Sequence, residues 1–240
     1  MQVKSPVLKF NTATLLKAIS YRVYSSLITF VISYVITRNW LASLSIGVID
    51  TLVKIGSYYL FDEVWKKKFD SQPKPAVIWL TGLSGSGKTT IADQLVEYLG
   101  KNNIKSVKLD GDEIRNAIKM HGFDEDSRKK HNLNVGYIAS LFEKQGNIVI
   151  VSLISPYRDV RDEVRTMCNR FIEVYLATPL DICIERDPKG LYKKALSGEI
   201  KDFTGISAPY EEPLSPEITL DTGKIGVDAA VSKIISLLKK

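Results

Sequence analysis

Two hydrophobic textures divide the chain. From 19 to 37 and again from 40 to 61 the residues are largely apolar, ISYRVYSSLITFVISYVIT and WLASLSIGVIDTLVKIGSYYLF, with no proline in either run. Each is close to the ~20 residues that carry a helix across a bilayer. Only Arg38-Asn39 separates them. From residue 76 onward the apolar runs shorten to strand length, at 76–81, 106–110, 147–154 and 171–177, and are rich in β-branched side chains. Their near-continuous apolarity suits strands buried on both faces of a parallel sheet. Segments 88–100, 128–145 and 158–169 read as helices between them, and 226–239 as a closing one. Strand alternating with helix predicts right-handed βαβ units, hence a doubly wound parallel α/β sheet. The expected organisation is an α-helical membrane hairpin over 1–65, with spans at about 19–37 and 41–60, then a charged linker with two prolines at 66–75, then an α/β domain over 76–240.

Charge sharpens this division. The net charge is +6, yet residues 1–75 carry ten Lys+Arg against four Asp+Glu while 76–240 carry 23 against 23. The large domain is therefore neutral, and nucleic acid is not an expected partner. Lys4, Lys9, Lys17 and Arg22 precede the first apolar run, Lys66, Lys67 and Lys68 follow the second, and the turn holds only Arg38. The positive-inside rule then places both termini and the large domain in the cytoplasm, as a multi-pass protein of the inner (cytoplasmic) membrane that meets lipid through residues 19–61. Tyr21, Tyr24, Trp40, Tyr58, Tyr59 and Trp65 lie near the run ends, where amphipathic aromatics favour headgroup depth. Asp50 and Lys54 interrupt the second run; four residues apart, they share a helix face and can pair. The competing expectation is a soluble hairpin packed on the large domain or on another copy. A signal peptide does not fit, because the run starts late, lacks a small-residue cleavage site and is followed by another. Two cysteines, Cys168 and Cys183, and two histidines, His121 and His131, are too few for a structural zinc site and imply inert thiols in a reducing compartment.

The first short strand runs straight into Gly82-Leu83-Ser84-Gly85-Ser86-Gly87-Lys88-Thr89, the pattern GxxxxGK[ST] between a strand and a helix. Its glycines let backbone N–H groups and a helix N-terminus face phosphate oxygens. Lys88 adds a point charge toward the β/γ phosphates, and the Thr89 hydroxyl is a candidate Mg²⁺ ligand. A nucleoside-triphosphate site of the P-loop type follows. No guanine-reading NKxD is present. The second strand ends in Leu109-Asp110-Gly111-Asp112, at the carboxyl edge where open α/β sheets bind ligands. Asp110 can hold Mg²⁺ through water or accept a proton from an attacking hydroxyl, and Asp112 can hydrogen-bond an acceptor sugar; a solvated helix-capping turn is the plainer alternative. The run 147–154 leads into Ser155-Pro156-Tyr157-Arg158 at the same edge, where Ser155 is a substrate contact or an activated hydroxyl.

Residues 82 to about 222 resemble the adenylyl-sulfate kinases: GLSGSGKTT (82–90), LDGD (109–112), SLISPYR (152–158) and RDPKGLYKKALSGEIKDFTGISAPYE (186–211) match that family in order and spacing. The resemblance implies ATP-dependent phosphorylation of the ribose 3′-hydroxyl of adenylyl sulfate to 3′-phosphoadenylyl sulfate in sulfate activation, with Mg²⁺. It carries the ATP loop onto Gly82 to Thr90, and the metal contacts onto Thr89 and Asp110. Sulfate-nucleotide contacts fall on Asp112, Arg115, Phe123, Arg128, His131, Ile154, Ser155, Lys189 and Phe203. Phe123 and Phe203 match the pair that sandwiches the acceptor adenine, and Arg115 and Arg128 match oxyanion contacts. Ser155 matches a serine assigned in bacterial members to a phosphoserine intermediate, although in-line transfer to a bound hydroxyl needs no covalent relay. Residues 186–203, with Arg186, Lys189, Lys193 and Lys194, look like a lid over ATP. The family is often dimeric, so a homodimer is implied, and tethering suggests delivery to a membrane sulfotransferase. The N-terminal segment resembles a small two-helix bacterial domain family predicted to lie in the membrane, through Lys17-Ala18, Tyr21-Arg22, Ser26, Thr29-Phe30, Ser45-Ile46-Gly47, Lys54, Tyr58-Tyr59, Glu63 and Trp65.

Departures from the kinase pattern cluster on the acceptor side. Glu113 stands where an amide is common, Ser127 replaces an aspartate, His131 takes an asparagine's place, and Leu133-Asn134 replace two arginines; a one-residue shift would put Asn132 in the asparagine position but breaks the spacing from Arg128. A less positive acceptor pocket is the expected consequence. That keeps open a sibling kinase acting on another nucleotide-activated group, for example in surface-polysaccharide modification, and a non-catalytic nucleotide-binding membrane regulator.

Overall fold

The computed structural model describes residues 12–69, 73–120 and 122–239, with backbone only at 12–23, 59, 62–63 and 65–69. The chain divides into two compact units, Met1–Ser71 and Gln72–Lys240.

In the first unit, α1 (Thr12–Thr37) and α2 (Trp40–Phe69) form the expected hairpin. Arg38, at φ 51°, turns the chain. Asn39 caps α2, its Oδ1 accepting from the amides of Leu41 (3.0 Å) and Ala42 (3.3 Å). The helix continues through residues 66–69, so it runs into the segment expected as linker. A stretch of α2, Trp40–Tyr58, is long and apolar enough to cross a membrane; the apolar part of α1 among the described residues, Tyr24–Thr37, is shorter. Lys4 and Lys9 lie outside the described residues, and at Lys17, Tyr21, Arg22, Tyr59, Glu63, Trp65 and Lys66 to Lys68 only the helix backbone is described.

Polarity in this hairpin is inverted relative to a water-soluble helix pair. Ser25, Thr29, Ser33 and Thr37, spaced by four, form one ridge of α1 facing polar residues of α2. Thr29 donates to Asp50 (3.1 Å), Lys54 pairs with Asp50 (2.6 Å) and reaches Ser25 (3.0 Å), and hydroxyls meet at Ser26–Thr51 and Thr37–Ser43. Leu27, Val31, Val35, Ile36, Leu41, Ile49, Leu52 and Val53 point outward, each more than half exposed.

In the second unit, β1 (Ala76–Thr81), β2 (Ser106–Asp110), β3 (Ile148–Ser152), β4 (Phe171–Leu176) and β5 (Ile218–Leu220) form one sheet in the order β2-β3-β1-β4-β5, every pairing parallel. Successive side chains alternate between two cores. Ile78, Leu80, Ile150 and Val174 pack with α3 (Lys88–Lys101) and α9 (Val227–Leu238); Val77, Trp79, Val149 and Val151 pack with α5 (Glu125–Lys144) and α6 (Arg158–Met167). The doubly wound parallel sheet expected from the run lengths is therefore present. The three-residue edge strand β5 and the short helices α4 (Gly111–Ala117), α7 (Leu180–Arg186) and α8 (Leu191–Leu196) were not expected, each being too short to establish a period. The run 147–154 leaves the sheet at Ser152, and Ser155 takes a left-handed conformation at φ 47°.

Candidate active site

The carboxyl ends of β1, β2 and β3 open into a cleft of about 1280 Å³. At one end lies the glycine loop. Its carbonyls are tied back by side chains behind it: Tyr192 donates to Ser84 (3.0 Å), Arg186 to Gly85 (3.3 Å) and Thr222 to Ser86 (3.0 Å). Gly85 and Gly87 adopt positive φ, and Gly87 caps α3, whose first amides have no preceding carbonyl within the helix to bond. The loop thus presents donors and a helix N-terminus to the cleft. The Lys88 ammonium folds back on the Gly82 (3.0 Å) and Leu83 (2.7 Å) carbonyls, and burial pushes its pKa down to about 8. Thr89 and Thr90 are exposed along the cleft. Three loop residues do not line it: Gly82 is buried where a Cβ would meet the Leu176 carbonyl at 2.8 Å, Leu83 packs under α7 and α8, and Ser86 is buried. They shape the loop from behind.

Asp110 caps α4, its Oδ1 accepting from the amides of Asp112 (2.9 Å) and Glu113 (3.4 Å). Its Oδ2 accepts no hydrogen bond from the described residues, so the capping and metal-holding roles are compatible. Among those residues no cluster of three His, Cys, Asp or Glu side chains can hold a metal. Two protein ligands plus phosphate oxygens are what a nucleotide-bound Mg²⁺ needs, and the exposed Thr89 with the free oxygen of Asp110 suit that chemistry.

The same cleft is lined by Asp112, Arg115, Phe123, Arg128, His131, Ile154, Ser155, Lys189 and Phe203. Lys189, in the segment 186–203, pairs with Asp112 of α4 at 2.5 Å. Arg115 stacks on the Phe123 ring at 4.7 Å, leaving that ring 60% exposed. Phe203 is only 9% exposed and meets Tyr192 edge-on at 5.0 Å. The two phenylalanines thus differ: one carries Arg115 and keeps more than half its surface open, the other is the surface of a small core. Arg128 lines the cleft, but its terminal nitrogens bind the Thr204 hydroxyl (2.6 Å) and the Asp202 carbonyl, fixing the segment that carries Phe203. Of the basic residues expected on a lid, Arg186 and Lys189 line the cleft and Lys193 and Lys194 do not.

Three polar side chains in the cleft wall are 1–3% exposed and carry an atom without a hydrogen-bond partner: His131 Nδ1, Asn132 Nδ2 and Ser155 Oγ. Buried polar atoms are normally satisfied, and these three face a cleft where a bound ligand can supply the missing partners. His131 Nε2 lies 3.0 Å from the Gly111 carbonyl, which can only accept; Nε2 therefore carries the proton, and Nδ1 is an acceptor. Burial and then the Arg115 charge push the His131 pKa down to about 4, so the ring is neutral at ordinary pH.

Residues 74–221 match the family described as adenylylsulphate kinase, and 15–66 match one described as "Predicted membrane protein (DUF2061)". A probable adenylyl-sulfate kinase of Halalkalibacterium halodurans is 49% identical over 168 residues, covering 69% of this chain and 83% of that protein. The chain belongs to the adenylyl-sulfate kinase family. The adenylyl-sulfate kinase of Bacillus velezensis is 47% identical over 169 residues, covering 69% and 86%. The solved APS kinase CysC of Mycobacterium tuberculosis, in complex with AMPPNP and APS, superposes with a TM-score of 0.67 at 36% identity over 70% of this chain and 99% of that one. A hexameric APS kinase from Thiobacillus denitrificans gives 0.52 at 28% identity over 72% of this chain and 30% of that one.

Against the adenylyl-sulfate kinase pattern, most acceptor-side departures fall outside the cleft. Glu113, Ser127, Leu133 and Asn134 do not line it; Ser127 is held by the Asp124 cap, and Leu133 packs on the core beneath α5. Only His131 reaches the wall. The expected loss of positive charge from the pocket is therefore smaller than the sequence pattern implied. Arg161, Thr222 and Ile225 carry no signal in the sequence, yet Thr222 and Ile225 line the cleft and Arg161 lies directly behind Ser155; Asn132, the alternative for the asparagine position, lines the cleft beside His131.

Proposed function

We propose that this chain phosphorylates the 3′-hydroxyl of adenylyl sulfate with ATP, giving 3′-phosphoadenylyl sulfate and ADP, at a membrane surface. The observation that carries the reading is the single cleft joining a phosphate-binding loop to a wall of unpaired buried polar side chains. One cleft can hold a donor and an acceptor end to end, which in-line transfer requires.

The residues divide the work as follows. The amides of the loop and of the first turn of α3 hold the donor phosphates, and Lys88 swings from the loop carbonyls onto them. Arg186, Ile225 and Val227 bound the cleft beside the loop, where the donor base would lie. Thr89 and Asp110 would hold Mg²⁺, which when bound neutralises phosphate charge. Asp112 orients the acceptor ribose, Arg115 meets its oxyanions, and Phe123 offers a face to the adenine. Lys189, exposed and paired to Asp112, draws the lid across the mouth and excludes water. Ser155 acts as a contact and not a relay, since its hydroxyl has no base within hydrogen-bond reach.

The N-terminal hairpin serves as a bilayer anchor with both termini cytoplasmic. Its apolar exterior and polar seam support this, and so does the predominance of lysine and arginine flanking the two apolar runs over the single Arg38 at the turn. The hexameric relative makes self-association a further expectation, with local delivery to a sulfotransferase as the use of the tether. The test is acceptor-dependent ADP release by detergent-solubilised full-length protein with Mg-ATP. Adenylyl sulfate should drive turnover that Lys88→Ala abolishes. Turnover only with another nucleotide acceptor, or full activity in Lys88→Ala, would refute the assignment.

A further inference from the structure

Arg161 is 2% exposed, in the first turn of α6; its two terminal nitrogens each donate to a separate carbonyl, and its Nε makes a close ion pair with Glu173 that lacks hydrogen-bond geometry. One terminal nitrogen donates to the Ser155 carbonyl at 2.5 Å and the other to the Glu211 carbonyl at 2.7 Å, while Nε pairs with the Glu173 carboxylate at 2.8 Å. A fully buried ion pair adds little net stability relative to apolar side chains of similar volume, so its presence calls for another role. Ser155 supplies that role. It holds φ 47°, a conformation that costs a residue with a side chain, and it precedes Pro156, which disfavours helical backbone at the residue before it. Such strain persists only where the surroundings over-determine it. Thr81 Oγ1 holds the Ile154 carbonyl at 2.7 Å and reaches the Ser155 carbonyl at 3.3 Å, the Glu211 amide holds the Pro156 carbonyl at 2.8 Å, and the Arg161 fork makes the shorter bond to the Ser155 carbonyl and joins its loop to the 211 loop. The conformation so fixed leaves the Ser155 hydroxyl without a protein partner in the cleft wall.

We propose that Arg161, backed by Glu173, is a positioning residue that holds Ser155 in its strained conformation and so sets the acceptor side of the cleft. This rests on the acceptor-site reading given under the proposed function. The guanidinium is suited to the task because its rigid fork fixes two carbonyls at once, which an ammonium cannot do. The role is separable from general stability, because glycine adopts a positive φ without strain.

The experiment is a cycle on full-length protein with Mg-ATP and adenylyl sulfate, comparing wild type, Arg161→Lys, Ser155→Gly and the pair combined. Arg161→Lys should lower kcat/KM for adenylyl sulfate about tenfold or more and leave the KM for ATP within about twofold. In the Ser155→Gly background the same substitution should cost about threefold or less, because the loop no longer needs the fork. Arg161→Met/Glu173→Gln, which leaves no buried charge unpaired, should reproduce the acceptor-specific loss and guards against a lysine variant that does not fold. Equal losses for both substrates, additive effects in the cycle, or failure of both Arg161 variants to fold would make Arg161 merely structural and overturn the proposal. Wild-type protein without adenylyl-sulfate-dependent turnover would instead refute the functional reading, separately from any variant.

Discussion

His131 converts a structural detail into a measurable pH effect. Its Nε2–H is committed to the Gly111 carbonyl at 3.0 Å, at the start of the helix that carries Asp112 and Arg115. Burial, then the nearby Arg115 charge, lowers its pKa from 6.5 to about 4. Between those values the unfolded chain binds a proton that the folded chain refuses, so stability falls as pH drops below 6.5 and levels off near 4. The full displacement corresponds to about 3 kcal/mol, and the adjacent solvent-filled cleft reduces it to about 1–2 kcal/mol. Over pH 7.5 to 5 the wild type should lose about 1 kcal/mol more than His131→Asn, which retains an amide donor for Gly111 but cannot titrate. For a chain of this size that is a difference of about 2–4 °C in the shift of Tm. Thermal unfolding of the two proteins in detergent at the two pH values measures it. Parallel losses would refute the buried neutral ring, and so would an inflection near pH 6.5 in the acceptor KM that His131→Asn abolishes.

Three further outcomes follow from the geometry. Lys88 should be half-deprotonated in the free enzyme near pH 8, so kcat/KM for ATP should fall above that pH through one ionisation, and a profile flat to pH 9.5 would contradict its burial. Phe123→Ala removes an exposed ring, so Tm should stay within a degree or so while the acceptor KM rises about tenfold or more, in keeping with the ~1–3 kcal/mol typical of base stacking; an unchanged KM would remove Phe123 from the site. Lys54→Leu leaves Asp50 without a counter-charge among the described residues, its carboxylate bonded only by the Thr29 hydroxyl, roughly 15 Å along α2 from Trp40 and so near mid-bilayer, at a cost on the order of 2.5–3.5 kcal/mol. The variant should be lost from the carbonate-resistant membrane fraction and regained on adding Asp50→Asn, whereas equal retention of all three proteins would argue against an inserted hairpin.

What could be read from the chain was whatever repeats or matches a fixed spacing. Strands β1 and β2 fall where their apolar runs begin and end, and the glycine loop sits between strand and helix as its motif requires. The polar ridge at 25, 29, 33 and 37 was present in the sequence but hidden by the apolar residues around it, because its spacing acquires meaning only opposite α2. Arg161 lies in the charged stretch RDVRDEVR, where one buried arginine looks like any solvated neighbour; only the tertiary approach of Ser155, Glu173 and Glu211 distinguishes it. Phe123 and Phe203 look alike as letters and differ as surfaces, because Phe203 packs into a small core with Cys183, Tyr192 and Ala195. The acceptor-side substitutions appeared as one cluster in sequence, yet the helical turn of α5 sends His131 to the cleft and Leu133 to the core.

The central claim is transfer of the ATP γ-phosphoryl group to a ribose hydroxyl of adenylyl sulfate in this cleft. The most direct measurement incubates full-length protein with γ-labelled ATP, Mg²⁺ and adenylyl sulfate and locates the label in the product by mass spectrometry and phosphorus NMR. Label on the 3′-oxygen, formed by wild type and absent with Lys88→Ala, is the predicted result. Label only in free phosphate, or on a different acceptor in preference to adenylyl sulfate, would contradict the account.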